Sequence, residues 1–244
     1  MPKITYWNAA GEEVPSTTTI INKYKDVGGL MYFAWSEGKA GRGLNESRDR
    51  AGDVGSMLHG QIDAFLKDEL WGLPVDAHPE DAQIAARLYA TFREWWAHNK
   101  IEVVATETSL VSETYQYGGT VDLVGNYPGG GLIIMDWKTS SAFYQEMLLQ
   151  MAAYRRLWQE CKQQVIERAT LALFSKTDRK IKFYPVTNEQ MGLGFEKFLL
   201  LRKAYDMEAA IAKSVKETRH AAVSYDHGSG QAKGVGQSQG PVQD

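Results

Sequence analysis

The residues from Gly118 to Ser140, GGTVDLVGNYPGGGLIIMDWKTS, constrain the fold more than any other part of the chain. Two apolar runs flank the turn sequence YPGGG, which is the pattern of a β-hairpin. Each run nevertheless contains an acid among residues that favour burial, Asp122 in the first and Asp136 in the second, and Lys138 follows two residues later. A fold that includes this hairpin must therefore accommodate charge within its sheet.

The register of the hairpin decides whether these charged side chains meet. If Asn126 pairs with Leu132 across the loop, Asp122 lies directly opposite Asp136, and directly opposite residues have Cβ atoms roughly 5 Å apart. Lys138 projects from the same face because side chains alternate along a strand with a period of two. The hairpin thus predicts two carboxylates and an ammonium group on one face.

A pair of carboxylates in apolar surroundings indicates a divalent cation. The two acids repel and resist ionising together, whereas Mg²⁺ in proteins is bound through one or two carboxylates, waters and substrate phosphate oxygens. Beside such an ion, Lys138 could orient or help deprotonate an attacking water, or stabilise transition-state charge, as phosphodiester hydrolysis requires. The alternative is a structural ion pair of Lys138 with one aspartate, with the other acid at a solvated sheet edge.

Two residues outside the hairpin could join this cluster. Glu107 lies on the preceding predicted strand, IEVVATETSLVS, and would add a third carboxylate if that strand is a neighbour in the sheet. His59 lies near the start of a predicted helix in the segment GSMLHGQIDAFL. Taken alone, a strand glutamate fits a solvated side chain and a helix histidine fits a polar boundary residue, so both alternatives stay open.

The order of predicted elements indicates an α/β or α+β domain built on a central mixed β-sheet flanked by helices. A helix over residues 53–70 would begin at Asp53 or Ser56 as N-cap, whereas the polar, basic segment 38–52 shows no clear pattern. The other predicted elements are a strand pair over 4–16, two short helices within 16–38, a helix over 80–98, a strand over 101–112, the hairpin, a helix over 143–160, a second hairpin over 167–187 and a helix over 188–216.

Length and composition favour one domain. The chain has 244 residues, of which 43% are hydrophobic and 23% charged, which is enough to build a core. We expect a single domain over residues 1–225, with a helical N-terminal part at 16–100 and the catalytic sheet core at 101–190. The Gly/Gln/Ser-rich stretch 226–244 has almost nothing to bury and predicts a disordered tail.

Charge and cysteine content exclude several classes of protein. The net charge of −3 excludes a wholly basic surface, although not a local basic groove. Cys161 is the sole cysteine, which excludes an internal disulfide, a four-thiolate zinc site and an iron–sulfur cluster ligated by cysteines. With no signal-peptide pattern and no apolar run near the ~18 residues of a membrane span, we expect a cytoplasmic protein.

The charged motifs together resemble the RecB-type branch of the PD-(D/E)XK nuclease superfamily. The resemblance spans residues 16–155, and DWKTS followed by Q-x-x-x-Y is especially similar to mitochondrial genome maintenance exonucleases and phage-encoded exonucleases. Each motif is weak alone, but five in this order are fairly specific: His59, Glu107, GGTVDLV around Asp122, DWK at 136–138 and QMAAY at 150–154. The resemblance implies a restriction-endonuclease-like PD-(D/E)XK core. The chain departs from those RecB-like nucleases that carry a four-cysteine iron–sulfur staple, because Cys161 is its sole cysteine, so we expect no iron–sulfur cluster.

The resemblance also implies a role for each matching residue. Lys138 would be the catalytic lysine, and Glu107 an additional acid near the metal or the water. Gln150 and Tyr154, at i and i+4 on one helical face, would contact DNA or the active-site carboxylates, although the helix pattern alone fits a surface glutamine beside a core tyrosine. The shell of Mg²⁺ or Mn²⁺ would comprise Asp122, Asp136, His59 and the main-chain carbonyl of Trp137.

A DNA substrate requires further contacts, for which the sequence offers hydroxyl, basic and aromatic candidates. Each basic residue alone also fits a solvated surface, and core packing is the better expectation for the aromatic residues, although they could stack single-stranded bases. The hydroxyl candidates, which the resemblance implies, are Ser16, Thr17, Thr18, Thr19, Thr139 and Ser140. The basic candidates are Arg48 and Arg50, with Lys39, Arg42, Arg155, Arg156, Lys176, Arg179 and Lys180. The aromatic candidates are Tyr32, Phe33 and Trp35.

The leading functional prediction is a metal-dependent exonuclease acting on single-stranded DNA or DNA ends, in replication, recombination or repair. A structure-specific endonuclease for flaps or branches keeps the same chemistry, and residues 16–52 would have to cover the DNA for an exonuclease. A catalytically inactive DNA-binding module is the third alternative. We expect DNA as partner, with a single-strand annealing protein, helicase or polymerase and an oligomer as further options, in a bacterial or phage-infected cytoplasm.

Overall fold

The structure is a computed structural model that describes residues 4–41, 43–178, 180–220, 223–225 and 232–234, without the side chains at 29–30, 33, 44–49, 51, 223–225 and 232–234. The chain divides into two compact units, Met1–Leu199 and Leu200–Asp244. Fifteen elements occur in the described residues: β1 Tyr6–Trp7, β2 Glu13–Val14, α1 Thr17–Lys23, α2 Gly28–Lys39, α3 Leu44–Leu66, α4 Pro79–Asn99, β3 Glu102–Ser112, β4 Tyr117–Asn126, β5 Leu132–Lys138, α5 Gln145–Lys162, β6 Ile166–Phe174, β7 Ile181–Val186, α6 Asn188–His220, β8 Val223–Tyr225 and β9 Ala232–Gly234.

The first unit is built on a five-stranded sheet with the strand order β3-β4-β5-β6-β7. The pair β5–β6 is parallel and the other three pairs are antiparallel, so the predicted mixed sheet is confirmed. The parallel pair requires a crossover connection, which α5 supplies while packing against β3, β4 and β6.

The hairpin β4–β5 has the predicted register. Asn126 pairs with Leu132, and the pairing continues to Leu123 with Met135. The main-chain pairing ends there, and next to it the side chain of Asp122 accepts a hydrogen bond from the main-chain N–H of Trp137 at 2.8 Å. The pairing thus ends where Asp122 and Asp136 stand, and we call this end of the hairpin the fork between β4 and β5.

A cluster of apolar side chains from α3 and α4 packs on the sheet beside this fork. Trp137 of β5 is 1% exposed, and its ring makes edge contacts with Phe92 of α4 at 5.6 Å and Phe174 of β6 at 6.3 Å between centroids. Leu58 of α3 and Leu123 of β4 belong to the same cluster. Burying such rings stabilises the fold by roughly 1.5–3 kcal/mol per side chain, and it fixes the residues on either side of Trp137.

The prediction that α3 begins at Asp53 or Ser56 is wrong. The helix begins at Leu44, after Gly43 in the N-cap position, so the polar segment that had no assigned structure forms its first turns. The sequence LNESRDRAG contains no proline and no β-branched residue, and helix formation needs no apolar periodicity where such residues continue into a packed helix. The other predicted elements of the first unit are confirmed to within a few residues.

The second unit continues α6 from Leu200 to His220 and includes the antiparallel pair β8–β9. Arg202 forms an ion pair with Asp206 one turn later on the same helix. Most of the predicted tail, 226–231 and 235–244, lies outside the described residues, and the single domain over 1–225 stays a prediction. Within the part of the chain that the structure describes, every helix is too short or too polar to cross a membrane.

Candidate active site

The imidazole of His59 joins α3 to the fork in the hairpin. Its Nε2 lies 2.9 Å from the main-chain oxygen of Trp137, to which it donates. Its Nδ1 lies 3.3 Å from Oε1 of Glu107 and 3.6 Å from Oδ2 of Asp122. One helix residue therefore contacts groups from three strands, β3, β4 and β5.

Glu107 reaches the site through an irregular strand. The register of β3 against β4 shifts between Val103 and Ala105, and Glu107 itself has a φ of 40°. Thr106 pairs with Leu123 and Thr108 with Val121, so Glu107 stands opposite Asp122. A left-handed conformation at a non-glycine residue costs on the order of 1–3 kcal/mol and concentrates at functional sites. Here the strained residue is the one that faces His59.

Asp122 is held by main-chain and hydroxyl groups. It is 6% exposed, its Oδ2 accepts from the N–H of Trp137, and its main-chain oxygen accepts from the hydroxyl of Thr106 at 3.0 Å. The same hydroxyl lies 3.1 Å from Oδ1 of Asp63, one helical turn after His59. Burial raises the pKa of Asp122, although His59 and Lys138 oppose that shift.

Asp136 and Lys138 form an ion pair at 2.5 Å on β5. Asp136 is 2% exposed, and apart from Lys138 neither of its oxygens accepts a hydrogen bond from the residues that the structure describes. Burial raises the pKa of Asp136 to about 6 despite the adjacent ammonium. Burying a carboxylate with so few partners costs free energy. The oxygens of Asp136 are therefore free to bind a cation.

The charges of the cluster depend on one another. Burial alone would lower the pKa of His59, but Asp122 and Glu107 outweigh it and raise that pKa to about 9. Burial also lowers the pKa of Lys138, yet Asp136 and Asp122 raise it above its ordinary value. Three carboxylates thus share two cationic partners, and the site has an excess of negative charge that a divalent cation could balance.

The donor set fits a divalent metal ion. One ligand atom from each of His59, Glu107 and Asp122 lies within 4.8 Å of the other two, and carboxylate oxygens with an imidazole nitrogen suit Mg²⁺, Mn²⁺ and similar ions. Asp136, whose oxygens accept no other hydrogen bond from the described residues, is close enough to Asp122 and His59 for their charges to shift its pKa. The main-chain oxygen of Trp137 accepts from Nε2 of His59, which leaves Nδ1 of the imidazole directed at the carboxylates. Its role as a metal ligand stays a prediction.

Gln150 and Tyr154 of α5 lie next to the same carboxylates. Nε2 of Gln150 donates to the hydroxyl of Tyr154 at 2.7 Å, and Tyr154 is 5% exposed. The pKa of Tyr154 is raised well above its ordinary value, chiefly by burial and then by the negative charges of Asp136 and Asp122. Tyr154 is therefore buried, as the helix pattern alone suggested, and it also lies beside the acids, as the resemblance implied.

The predicted hydroxyl contacts lie around the site but have structural partners. Ser16 is the N-cap of α1, where its side chain accepts from the N–H of Thr19 at 3.0 Å. Thr17 is buried and donates to the main-chain oxygen of Gly118, which attaches α1 to β4. Ser140 donates to the main-chain oxygen of Ala142, and Thr139 lies close to Gly55 of α3.

Several predicted basic contacts are engaged within the protein. Arg50 binds Asp81 at 3.0 Å and Glu80 at 2.9 Å, joining α3 to α4. Arg155 donates to Asn188 and Arg156 to Tyr115. Lys39 and Lys180 are exposed and Lys176 is half-buried. Arg42, Arg179 and the side chain of Arg48 lie outside what the structure describes.

The structure adds residues that the sequence did not single out. Asp63 and Thr106 support the site from α3 and β3; the spacing of Asp63, four residues after His59 on one helical face, could have indicated it. A groove of about 170 Å³ opens beside Lys138 and Gln150. Its other walls come from α1, from the residues after it and from the start of α5: Thr18, Ile21, Asn22, Lys25, Tyr144, Glu146 and Met147.

Comparison with known proteins gives one family match. The PD-(D/E)XK nuclease superfamily matches residues 30–227 of this chain. No curated protein sequence matches.

The solved structures that the chain resembles include the following two. A provisionally assigned exonuclease from Eubacterium rectale is 12% identical with a TM-score of 0.43, over 64% of this chain and 68% of that one. LHK-Exo in complex with dAMP is 13% identical with a TM-score of 0.33, over 68% of this chain and 91% of that one. Neither likeness is strong enough to say what this chain does.

Proposed function

We propose that this chain, which belongs to the PD-(D/E)XK nuclease superfamily, is a metal-dependent deoxyribonuclease that degrades single-stranded DNA or DNA ends. The superfamily predicted from the motifs is confirmed by that membership. The RecB-type branch, the exonuclease activity and the identity of the metal as Mg²⁺ or Mn²⁺ are parts of the proposal.

The observation that carries the proposal is the fork between β4 and β5. It brings the ion pair of Asp136 and Lys138 next to the group formed by His59, Glu107 and Asp122. A purely structural ion pair of Asp136 and Lys138 would not require these three further ionisable groups beside it. It would also not require the left-handed backbone of Glu107. Strongly perturbed pKa values in one cluster also favour a functional site over a structural one.

In this proposal each residue of the fork has a distinct task. His59, Glu107, Asp122 and Asp136 would hold the cation, and His59 would release the proton that its carboxylate neighbours stabilise in the metal-free site. The bound cation supplies a positive charge that polarises the phosphate and makes a water molecule more acidic. Lys138 remains protonated at neutral pH because of its carboxylate neighbours, and it orients the attacking water or stabilises negative charge on the phosphate. Gln150 donates to the buried hydroxyl of Tyr154 on α5, so that this polar pair stands beside the carboxylates, where it could contact the DNA.

The preference for strand ends is proposed from the groove beside Lys138. One wall of that groove comes from α1, within the segment that was predicted to cover the DNA. A covered approach favours threading of a free end over binding in the middle of a strand. The alternatives of a flap endonuclease and of an inactive DNA-binding module remain outcomes of the test. The cytoplasmic location, an oligomer and assembly with an annealing protein, helicase or polymerase stay predictions.

The test uses linear and circular single-stranded DNA, each with Mg²⁺, Mn²⁺ or EDTA. We expect linear DNA to be degraded with either metal, circular DNA to persist, and EDTA to stop cleavage. Substrates labelled at the 5′ or the 3′ end then give the direction of digestion. Cleavage of the circle would replace the exonuclease by an endonuclease, and binding without cleavage in both metals would contradict the enzymatic proposal.

A further inference from the structure

The exposed face of α2 carries large apolar side chains that the site described above does not use. Met31, Tyr32 and Trp35 are 67%, 69% and 59% exposed, and Lys39 is exposed one turn after Trp35. We call these four residues the α2 stripe. The expectation that Tyr32 and Trp35 pack in the core is wrong, and the side chain of Phe33 lies outside the described residues.

The members of the α2 stripe contact one another along the helix. Residues three and four apart share a helical face, and the rings of Tyr32 and Trp35 stand 5.8 Å apart between centroids at an interplanar angle of 37°. Nζ of Lys39 lies 5.0 Å from the centroid of the Trp35 ring. The stripe thus presents two neighbouring aromatic surfaces with a cation next to one of them.

Charge on the exposed face of α2 suits a polyanion. The sole acid in the sequence of α2 is Glu37, which is 6% exposed and therefore turned away from solvent. Asp26, just before the helix, accepts a hydrogen bond from the N–H of Gly28 at 2.8 Å. The exposed stripe consequently has a lysine and no carboxylate.

The chain that leads into α2 also reaches the candidate active site. Lys25, three residues before α2 begins, lines the groove that contains Lys138. Tyr144, which is 46% exposed, stands on the α5 side of the same groove. The groove therefore has two lysines, a tyrosine and one acid, Glu146, among its walls, and the chain runs from Lys25 directly into α2.

We propose that the α2 stripe is a stacking platform for unpaired bases of the DNA strand whose phosphate enters the fork at Lys138. The inference rests on the proposed nuclease function and adds that the substrate is single-stranded next to the site. Aromatic rings bind bases of any sequence because each base has a flat π-face, and they do so beside cations that follow the phosphates. A duplex would hide those faces, so the platform discriminates between paired and unpaired DNA.

The test measures binding without cleavage, in EDTA, by fluorescence anisotropy. The probes are a labelled oligothymidylate and an equally long labelled oligomer of abasic nucleotides, which keeps the phosphates and removes the bases. The variants are Trp35→Ala, Trp35→Phe and Trp7→Ala. Trp7 is a matched control because it is 58% exposed and lies on β1, away from the α2 sequence.

We expect Trp35→Ala to bind oligothymidylate between about 5- and 150-fold more weakly, the range for loss of one stacked base. It should bind the abasic oligomer like wild type, Trp35→Phe should retain most of the affinity, and Trp7→Ala should be unchanged on both probes. Equal weakening on both probes would overturn stacking, and so would equal effects of Trp35→Ala and Trp7→Ala.

The two proposals fail in different ways. If wild type degrades linear DNA in Mg²⁺ but Trp35→Ala discriminates between the probes as wild type does, the platform is wrong and the nuclease stands. If wild type cleaves no DNA but binds oligothymidylate through Trp35, the platform is supported and the enzymatic proposal is wrong. If the α2 stripe instead contacts a second copy of this chain or another protein, Trp35→Ala should bind each probe with the wild-type affinity. That result would overturn the stacking platform.

Discussion

Nε2 of His59 donates to the main-chain oxygen of Trp137 at 2.9 Å, across 78 positions of the sequence. The side chain of Trp137 is fixed in the aromatic core, so its carbonyl group is a rigid acceptor. This contact sets the orientation of the imidazole and leaves Nδ1 facing Glu107 and Asp122. Packing in the core thus orients Nδ1 of His59, a candidate ligand atom, towards the candidate site.

Replacing His59 should weaken metal binding. We expect His59→Ala to bind Mn²⁺ at least about 10- to 100-fold more weakly in isothermal titration calorimetry, the range reported for loss of groups that orient a metal site. His98→Ala is the control, because His98 is exposed on α4. Equal Mn²⁺ affinities of the two variants would remove His59 from the ligand set.

The left-handed conformation of Glu107 predicts that glycine is more stable than alanine at this position, which reverses the usual order within a strand. In a strand interior, glycine is normally less stable than alanine by roughly 0.5–1 kcal/mol. Because Glu107 has a φ of 40°, Glu107→Gly should instead be more stable than Glu107→Ala by about 1 kcal/mol. Both variants lack the carboxylate and should lose Mn²⁺ affinity equally. Urea unfolding of the metal-free proteins gives the order, and a more stable alanine variant would show that the position is unstrained.

Close packing at Gly119 should make that position intolerant of a methyl group. A Cβ there would lie 2.6 Å from Cε1 of Tyr154 and 3.0 Å from Cδ1 of Leu157. We expect Gly119→Ala to lower the free energy of unfolding by about 1–3 kcal/mol. Gly192→Ala is the matched control, since a methyl group in that helical position meets nothing within 4 Å. It should be neutral or raise stability by up to about 1 kcal/mol.

Glu160 should give the fold a pH-dependent contribution outside the site. Burial would raise its pKa, but hydrogen bonds from the N–H of Thr114 and the hydroxyl of Ser112 outweigh burial and lower it. A carboxylate whose folded pKa is lowered stabilises the protein above its unfolded pKa, and that contribution disappears as pH falls through the folded value. Glu160→Gln should therefore be less stable than wild type at neutral pH, and the thermal melting curves should converge on acidification. A pH-independent difference would contradict this role.

Local patterns in the sequence predicted the hairpin well. The alternating strands and the loop YPGGG predicted the register through Asn126 and Leu132, because the turn length fixes the pairing of its flanks. The ordered motifs predicted the superfamily. The meeting of Asp122, Asp136 and Lys138 followed from the same register.

Contacts between distant segments could not be predicted in this way. The position of His59 depends on how α3 packs against Trp137, and the left-handed φ of Glu107 depends on a register shift in β3. The exposure of Tyr32 and Trp35 contradicted an expectation based on hydrophobicity, since residue type alone does not say whether a partner surface covers a helix. The early start of α3 was hidden because its first turns have no apolar stripe.

The measurement that tests the account most directly is the single-turnover cleavage rate of linear single-stranded DNA by Asp136→Asn in Mg²⁺. Asp76→Asn is its control, because Asp76 is an exposed acid in the loop between α3 and α4. With both variants folded by circular dichroism, we predict that Asp136→Asn loses at least about 100-fold in rate, as expected for an electrostatic group at the reacting phosphate, while Asp76→Asn cleaves like wild type. If Asp136→Asn cleaves at the wild-type rate, the fork between β4 and β5 is not the catalytic site.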